Sequence, residues 1–157
     1  AIETAKKIIA LQPATVRIYP TVVLKGTMLA KLYEDEVFNP QTVDDAANLC
    51  TTLVPMFEEA GIKIIRLGLH ASNDIKKNAV AGAYHESFGE IVKSRFMLNK
   101  ILKLRPGDYE IMVNPRSVSQ LKGQQKRNIY FLMEEGYNIK VTVTDMVAKD
   151  DLKIIRR

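Results

Sequence analysis

The chain alternates between helical and extended spacing of its apolar residues. Residues 2–11 place Ile2, Ala5, Ile8, Ile9 and Leu11 on one face, with Lys6 and Lys7 opposite, and predict an amphipathic helix that Pro13 ends. Ala14 to Leu24 is rich in β-branched residues and nearly continuously apolar, the pattern of a strand covered on both faces in a parallel sheet. A short helix is expected over Thr27 to Tyr33. Thr42 and Asp45 then form a capping-box start for a longer helix buried along Val43, Ala46, Ala47, Leu49, Cys50, Leu53 and Phe57. Pro55 should kink or split that helix, and Gly61 should stop it in the left-handed conformation.

Ile62 to Leu69 reads as a second buried strand with Arg66 at its middle. Residues 70–86 have no apolar period and read as one long loop that opens on His70. A helix is expected from about His85 to Leu104, and Arg105-Pro106-Gly107-Asp108 is the clearest boundary signal in the chain. Beyond it, strands over 109–113, 138–144 and 152–155 flank a helical stretch over 116–135 that breaks near Gly123. Alternation of helix and strand points to the α/β class.

Composition narrows the function classes. Hydrophobic residues make up 46% of 157 residues, enough for a sizeable core. No apolar run is long enough to span a bilayer as a helix, so a cytoplasmic location without membrane partners is expected. The net charge of +5 accommodates an anionic partner. Cys50 is the single cysteine, which excludes an intrachain disulfide and suits a reducing compartment. The sequence holds no CxxC pair, metal-spaced histidine couple, GxSxG elbow or Walker loop. No catalytic residue and no metal ligand is therefore assigned within it.

Three stretches carry candidate chemistry. Arg17 to Leu32, RIYPTVVLKGTMLAKL, has the order strand, small residue, hydroxyl, helix, which suits a phosphate or carboxylate held by backbone N–H groups near Gly26 and Thr27. The same order also describes an ordinary turn with Thr27 as N-cap. Arg66, in an apolar strand, needs either a structural carboxylate or an anionic ligand. Asn114 to Arg127 holds Arg116, Lys122, Lys126 and Arg127 with Ser117 and Ser119, a phosphate- or RNA-contacting surface or a solvated helix face.

Tyr19-Pro20-Thr21, the apolar Val22 to Leu24, Gly26-Thr27 and Leu29 resemble the end of the radical S-adenosylmethionine domain in the catalytic subunit of Elongator and its shorter bacterial relatives. The resemblance continues through Tyr33 and Thr42, returns at His85, Glu90 and Arg95, and covers residues 1–98. It implies that residues 1–105 are the last β/α units of a partial TIM-type barrel, followed by a small α/β module over 106–157. Tyr19, Thr21, Lys25, Gly26, Thr27, Arg66 and His85 would then shape a cofactor or substrate site, with His85, Tyr84 and Arg95 on its rim. The implied cofactors are a [4Fe-4S] cluster and S-adenosylmethionine, and the implied substrate is tRNA or, in the shorter relatives, another anionic substrate.

The family has a second basic residue three positions after the one matching Arg66, where this chain has Leu69. A radical S-adenosylmethionine enzyme needs three cluster thiolates, so the chain, opening on Ala1 in a helical pattern, reads as the C-terminal part of a longer enzyme and inactive alone. The missing barrel half is its expected partner, and an exposed sheet edge would favour homodimers. The alternative reading is an independent, non-catalytic α/β module that binds an anionic ligand or a protein.

Overall fold

A computed structural model describes all residues from Ala1 to Arg157. The chain forms two compact units, Ala1–Val92 and Lys93–Arg157, and the division falls inside a helix, ahead of the Arg105–Asp108 turn. The architecture is mixed α/β with three small sheets.

The first unit begins with helix α1 (Ile2–Ala10). The apolar run Ala14 to Leu24, expected as one strand, is two: β1 (Thr15–Ile18) and β2 (Val22–Leu24), separated at Tyr19-Pro20-Thr21 and placed in different sheets. Pro20 has no N–H to offer a ladder, so the chain leaves one sheet and enters another there. Helix α2 (Met28–Glu34) starts at Thr27, whose hydroxyl accepts the Ala30 N–H at 3.2 Å. Helix α3 (Val43–Glu59) starts at the expected capping box, the Asp45 carboxylate accepting the Thr42 N–H and the Thr42 hydroxyl accepting that of Asp45, each at 3.1 Å. Pro55 does not split α3, which runs unbroken through it to Glu59 and is followed by Gly61, a left-handed residue at φ 72°.

Strand β3 (Lys63–Leu67) pairs in parallel with β1. Their helix-side residues, Val16, Ile18 and Ile64, pack on a core of Ala5, Leu53, Phe57 and Ile62, supplied largely by α1 and α3. Only one face of this pair is covered. Thr15, Arg17, Lys63, Ile65 and Arg66 are exposed on the other, which corrects the expectation of strands buried on both faces. Residues 70–86 are not one loop either. They contain helix α4 (Asn73–Asn78), capped by the Ser72 hydroxyl, and strand β4 (Ala79–Gly82), antiparallel to β2. The stretch is too polar and small-residued to show a period, yet backbone pairing to β2 satisfies its polar groups.

Helix α5 (Phe88–Leu102) crosses from the first unit into the second. The second unit is a three-stranded sheet in the order β6 (Tyr137–Val143), β5 (Gly107–Val113), β7 (Leu152–Arg156). β5 and β6 are parallel, joined through helices α6 (Val118–Lys122) and α7 (Arg127–Glu134), and β7 runs antiparallel to β5. Ile111, Val113, Leu121, Leu132 and Ile101 are fully buried in its core. Two buried tyrosines of the same core satisfy their hydroxyls on backbone: Tyr109 donates to the Arg105 carbonyl and Tyr137 to the Leu104 carbonyl, both at 2.8 Å. No helix of the chain is long and apolar enough to cross a membrane.

Candidate functional site

Side chains with functional character gather at two places in the first unit. The first is the uncovered face of the β1–β3 pair. Register sets Thr15 opposite Lys63, Val16 opposite Ile64, Arg17 opposite Arg66 and Ile18 opposite Leu67, leaving Ile65 as an extra residue in a bulge. Without it, alternation would turn Arg66 toward the helices. With the bulge, Ile64 and Leu67 keep the helix side and Arg66 stays outward beside Arg17. Arg66 is therefore an exposed residue of an open sheet face, which corrects the expectation that it lies within a buried strand. Just past β1, Tyr19 is 44% exposed, and the Gly68 N–H donates to the Ile18 carbonyl at 2.9 Å, holding the two strand ends together.

The second place is an open groove of about 510 Å³ lined by Lys76, β4 and residues 84–87. Lys76 and Glu86 form an exposed ion pair at 3.2 Å across it, of the kind that contributes little stability. His85 shapes the turn into α5: its Nδ1 accepts the Ser87 N–H at 3.0 Å and its carbonyl accepts that of Phe88 at 3.1 Å. The Tyr84 hydroxyl is buried and makes no hydrogen bond.

The other candidates of the first unit flank β2. The carbonyl of Thr21, an exposed residue, accepts the Ala83 N–H at 3.3 Å. Lys25, Gly26 and Thr27 sit beyond the far end of β2, where the Lys25 N–H is bonded to the Asn78 carbonyl. The Thr27 hydroxyl donates to the Leu24 carbonyl at 2.7 Å while capping α2, so local backbone engages it on both sides. In the second unit Arg116, Lys126 and Arg127 are exposed and Lys122 is half-buried. Ser117 is fully buried, with its Oγ accepting the Asp150 N–H at 2.9 Å, which removes it from the surface proposed around those cations.

Sequence reasoning missed Arg17 and Lys63. Their signal was alternation within short strands: Thr15, Arg17 and Tyr19 share a parity, and Lys63 opens the strand that carries Arg66.

The family model described as Radical_SAM C-terminal domain matches residues 13–97, more than half of the chain. The chain belongs to that family. The match takes in both places described above and ends shortly after the second unit begins. No curated protein and no solved structure matches the chain.

Membership of the Radical_SAM C-terminal domain family makes the chain part of a radical S-adenosylmethionine enzyme, whose parent carries a [4Fe-4S] cluster and S-adenosylmethionine. The residues present do not fit that cluster. Cys50 is buried in α3, burial pushes its thiol up to about 11, and no group of His, Cys, Asp or Glu is gathered in a metal-binding arrangement. Cluster chemistry in the parent therefore belongs to other residues.

Proposed function

We propose that this region completes the barrel of its parent enzyme and supplies part of the wall facing the substrate, as in the Elongator-like group. In a β/α barrel the helices form the outer ring and the opposite strand face looks inward. The observation that carries the reading is the one-sided parallel pair β1–β3, with helices on one face and Arg17, Arg66 and the nearby Tyr19 left uncovered. In this reading the Tyr19-Pro20-Thr21 crossover and Arg66 position substrate, while Lys25, Gly26 and Thr27 serve mainly to start α2. His85 and Tyr84 form a rim beside the groove.

The proposed substrate is tRNA, on the strength of the Tyr-Pro-Thr to Gly-Thr block. Arg116, Lys122, Lys126 and Arg127 would add a basic surface for its backbone. The test is reductive cleavage of S-adenosylmethionine by the parent polypeptide, followed as 5′-deoxyadenosine with and without bulk tRNA. Stimulation by tRNA that Tyr19→Phe or Thr21→Val lowers, with basal cleavage unchanged, is expected. Cleavage indifferent to tRNA would overturn the substrate assignment.

A further inference from the structure

We propose that Arg17 and Arg66, with Lys63 beside them, form a binding site for a phosphate group on the uncovered face of the β1–β3 pair. The inference rests on the reading that this face is turned to substrate, and it names the chemistry the face takes.

Adjacent strands lie about 4.8 Å apart, and register partners project their side chains to the same face. Arg17 and Arg66 are such partners, so their side chains project from neighbouring positions on that exposed face. Like charges directly opposite destabilise a strand pair. Neither arginine's side chain makes an ion pair or hydrogen bond within the chain, and the Lys63 side chain makes none. The bulge at Ile65 is what places Arg66 there. It spares the core a guanidinium, and sets that group beside a second arginine where a carboxylate would have been stabilising.

Each guanidinium offers five N–H donors in a planar fork that matches an oxyanion in two-point fashion. Two forks approaching from neighbouring strands, with an ammonium on the same face, exceed what one carboxylate can accept or neutralise. A phosphate, with more acceptor oxygens and up to two negative charges, meets both requirements. Binding it would also cancel the repulsion stored between the two strands.

The test titrates the 157-residue chain with inorganic phosphate and follows arginine Nε–H resonances by NMR. Acetate and a short single-stranded oligonucleotide are run in parallel. Saturable shifts of Arg17 and Arg66 together are expected, weakened at least tenfold by Arg17→Gln or Arg66→Gln and unchanged by Lys31→Gln, at an exposed lysine of α2 outside the pair. Phosphate should raise the melting temperature of the unsubstituted chain. The two glutamine variants should melt higher than that chain without phosphate and no longer respond to it.

Absence of saturable shifts, equal weakening by Lys31→Gln, or acetate binding as tightly as phosphate would overturn the proposal. So would glutamine variants that melt lower while binding phosphate unchanged. Tighter binding of the oligonucleotide supports the site and places its phosphate in a nucleic acid. Tighter binding of free phosphate supports the site and removes RNA from the reading above, so the two can fail separately.

Discussion

Gly82 lies against the backbone of Thr21 so closely that a Cβ added to it would sit 2.6 Å from the Thr21 carbonyl oxygen. Gly82 also has φ +98°, and it ends the strand that pairs with β2. Gly82→Ala should therefore force the Tyr19-Pro20-Thr21 crossover to move, at a cost of about 3 kcal/mol. Gly26 has a similar φ of +78° but open space around it, so Gly26→Ala should cost only about 1 kcal/mol. Urea denaturation of the two variants checks the order, which reverses if the crossover is loosely held.

Cys50 should be chemically quiet while the chain is folded. With its thiol pushed up to about 11, the thiolate at pH 8 is on the order of one part in a thousand, and the side chain is buried as well. A disulfide reagent should modify the folded chain at least a hundredfold more slowly than the chain in denaturant. Equal rates would mean that α3 opens freely.

Acid should weaken the second unit through two identified carboxylates. The Glu110 carboxyl is held below its ordinary value of 4.5, first by the Thr142 hydroxyl and then by the charge of Lys140. The Asp151 carboxyl is held below 3.8, first by the Lys100 ammonium at 2.7 Å and then by the Leu152 N–H. A carboxylate with a depressed folded value contributes fully above its unfolded value and loses that contribution as pH falls through the folded one. Melting temperature should therefore fall as pH drops from 5 through the carboxylate range. Glu110→Gln and Asp151→Asn should each flatten that fall, and unchanged profiles would contradict the assignment.

How much of this was legible in the sequence depended on how much each segment says locally. The Thr42–Asp45 capping box, the Gly61 stop and the three strands after Gly107 were legible because short-range hydrogen bonds and clean alternation fix them. The division of Ala14 to Leu24 between two sheets was not, since hydrophobicity runs through Pro20 and only tertiary pairing separates the strands. α4 and β4 were hidden by small polar residues whose order comes from pairing with β2. Arg66 was visible as unusual, but its neighbour was not. The pairing with Arg17 depends on a one-residue bulge across 49 positions of sequence, and no local pattern encodes that register.

Open edges make a further expectation. β1–β3 and β2–β4 are each two-stranded, so every strand in them has an unpaired side that can template another chain. Light scattering should show a mass that rises with concentration above 17.7 kDa. A constant monomer mass across concentrations would contradict self-association through these edges.

The central claim is that this region binds and positions while the radical chemistry is supplied elsewhere in the parent enzyme. Anaerobic reconstitution with iron and sulfide, followed by reductant, S-adenosylmethionine and mass spectrometry for 5′-deoxyadenosine, tests it on the 157-residue chain and the parent polypeptide side by side. The account predicts a cluster and 5′-deoxyadenosine from the parent and neither from this chain. A stable cluster with 5′-deoxyadenosine from this chain alone, or none from the parent, would contradict it.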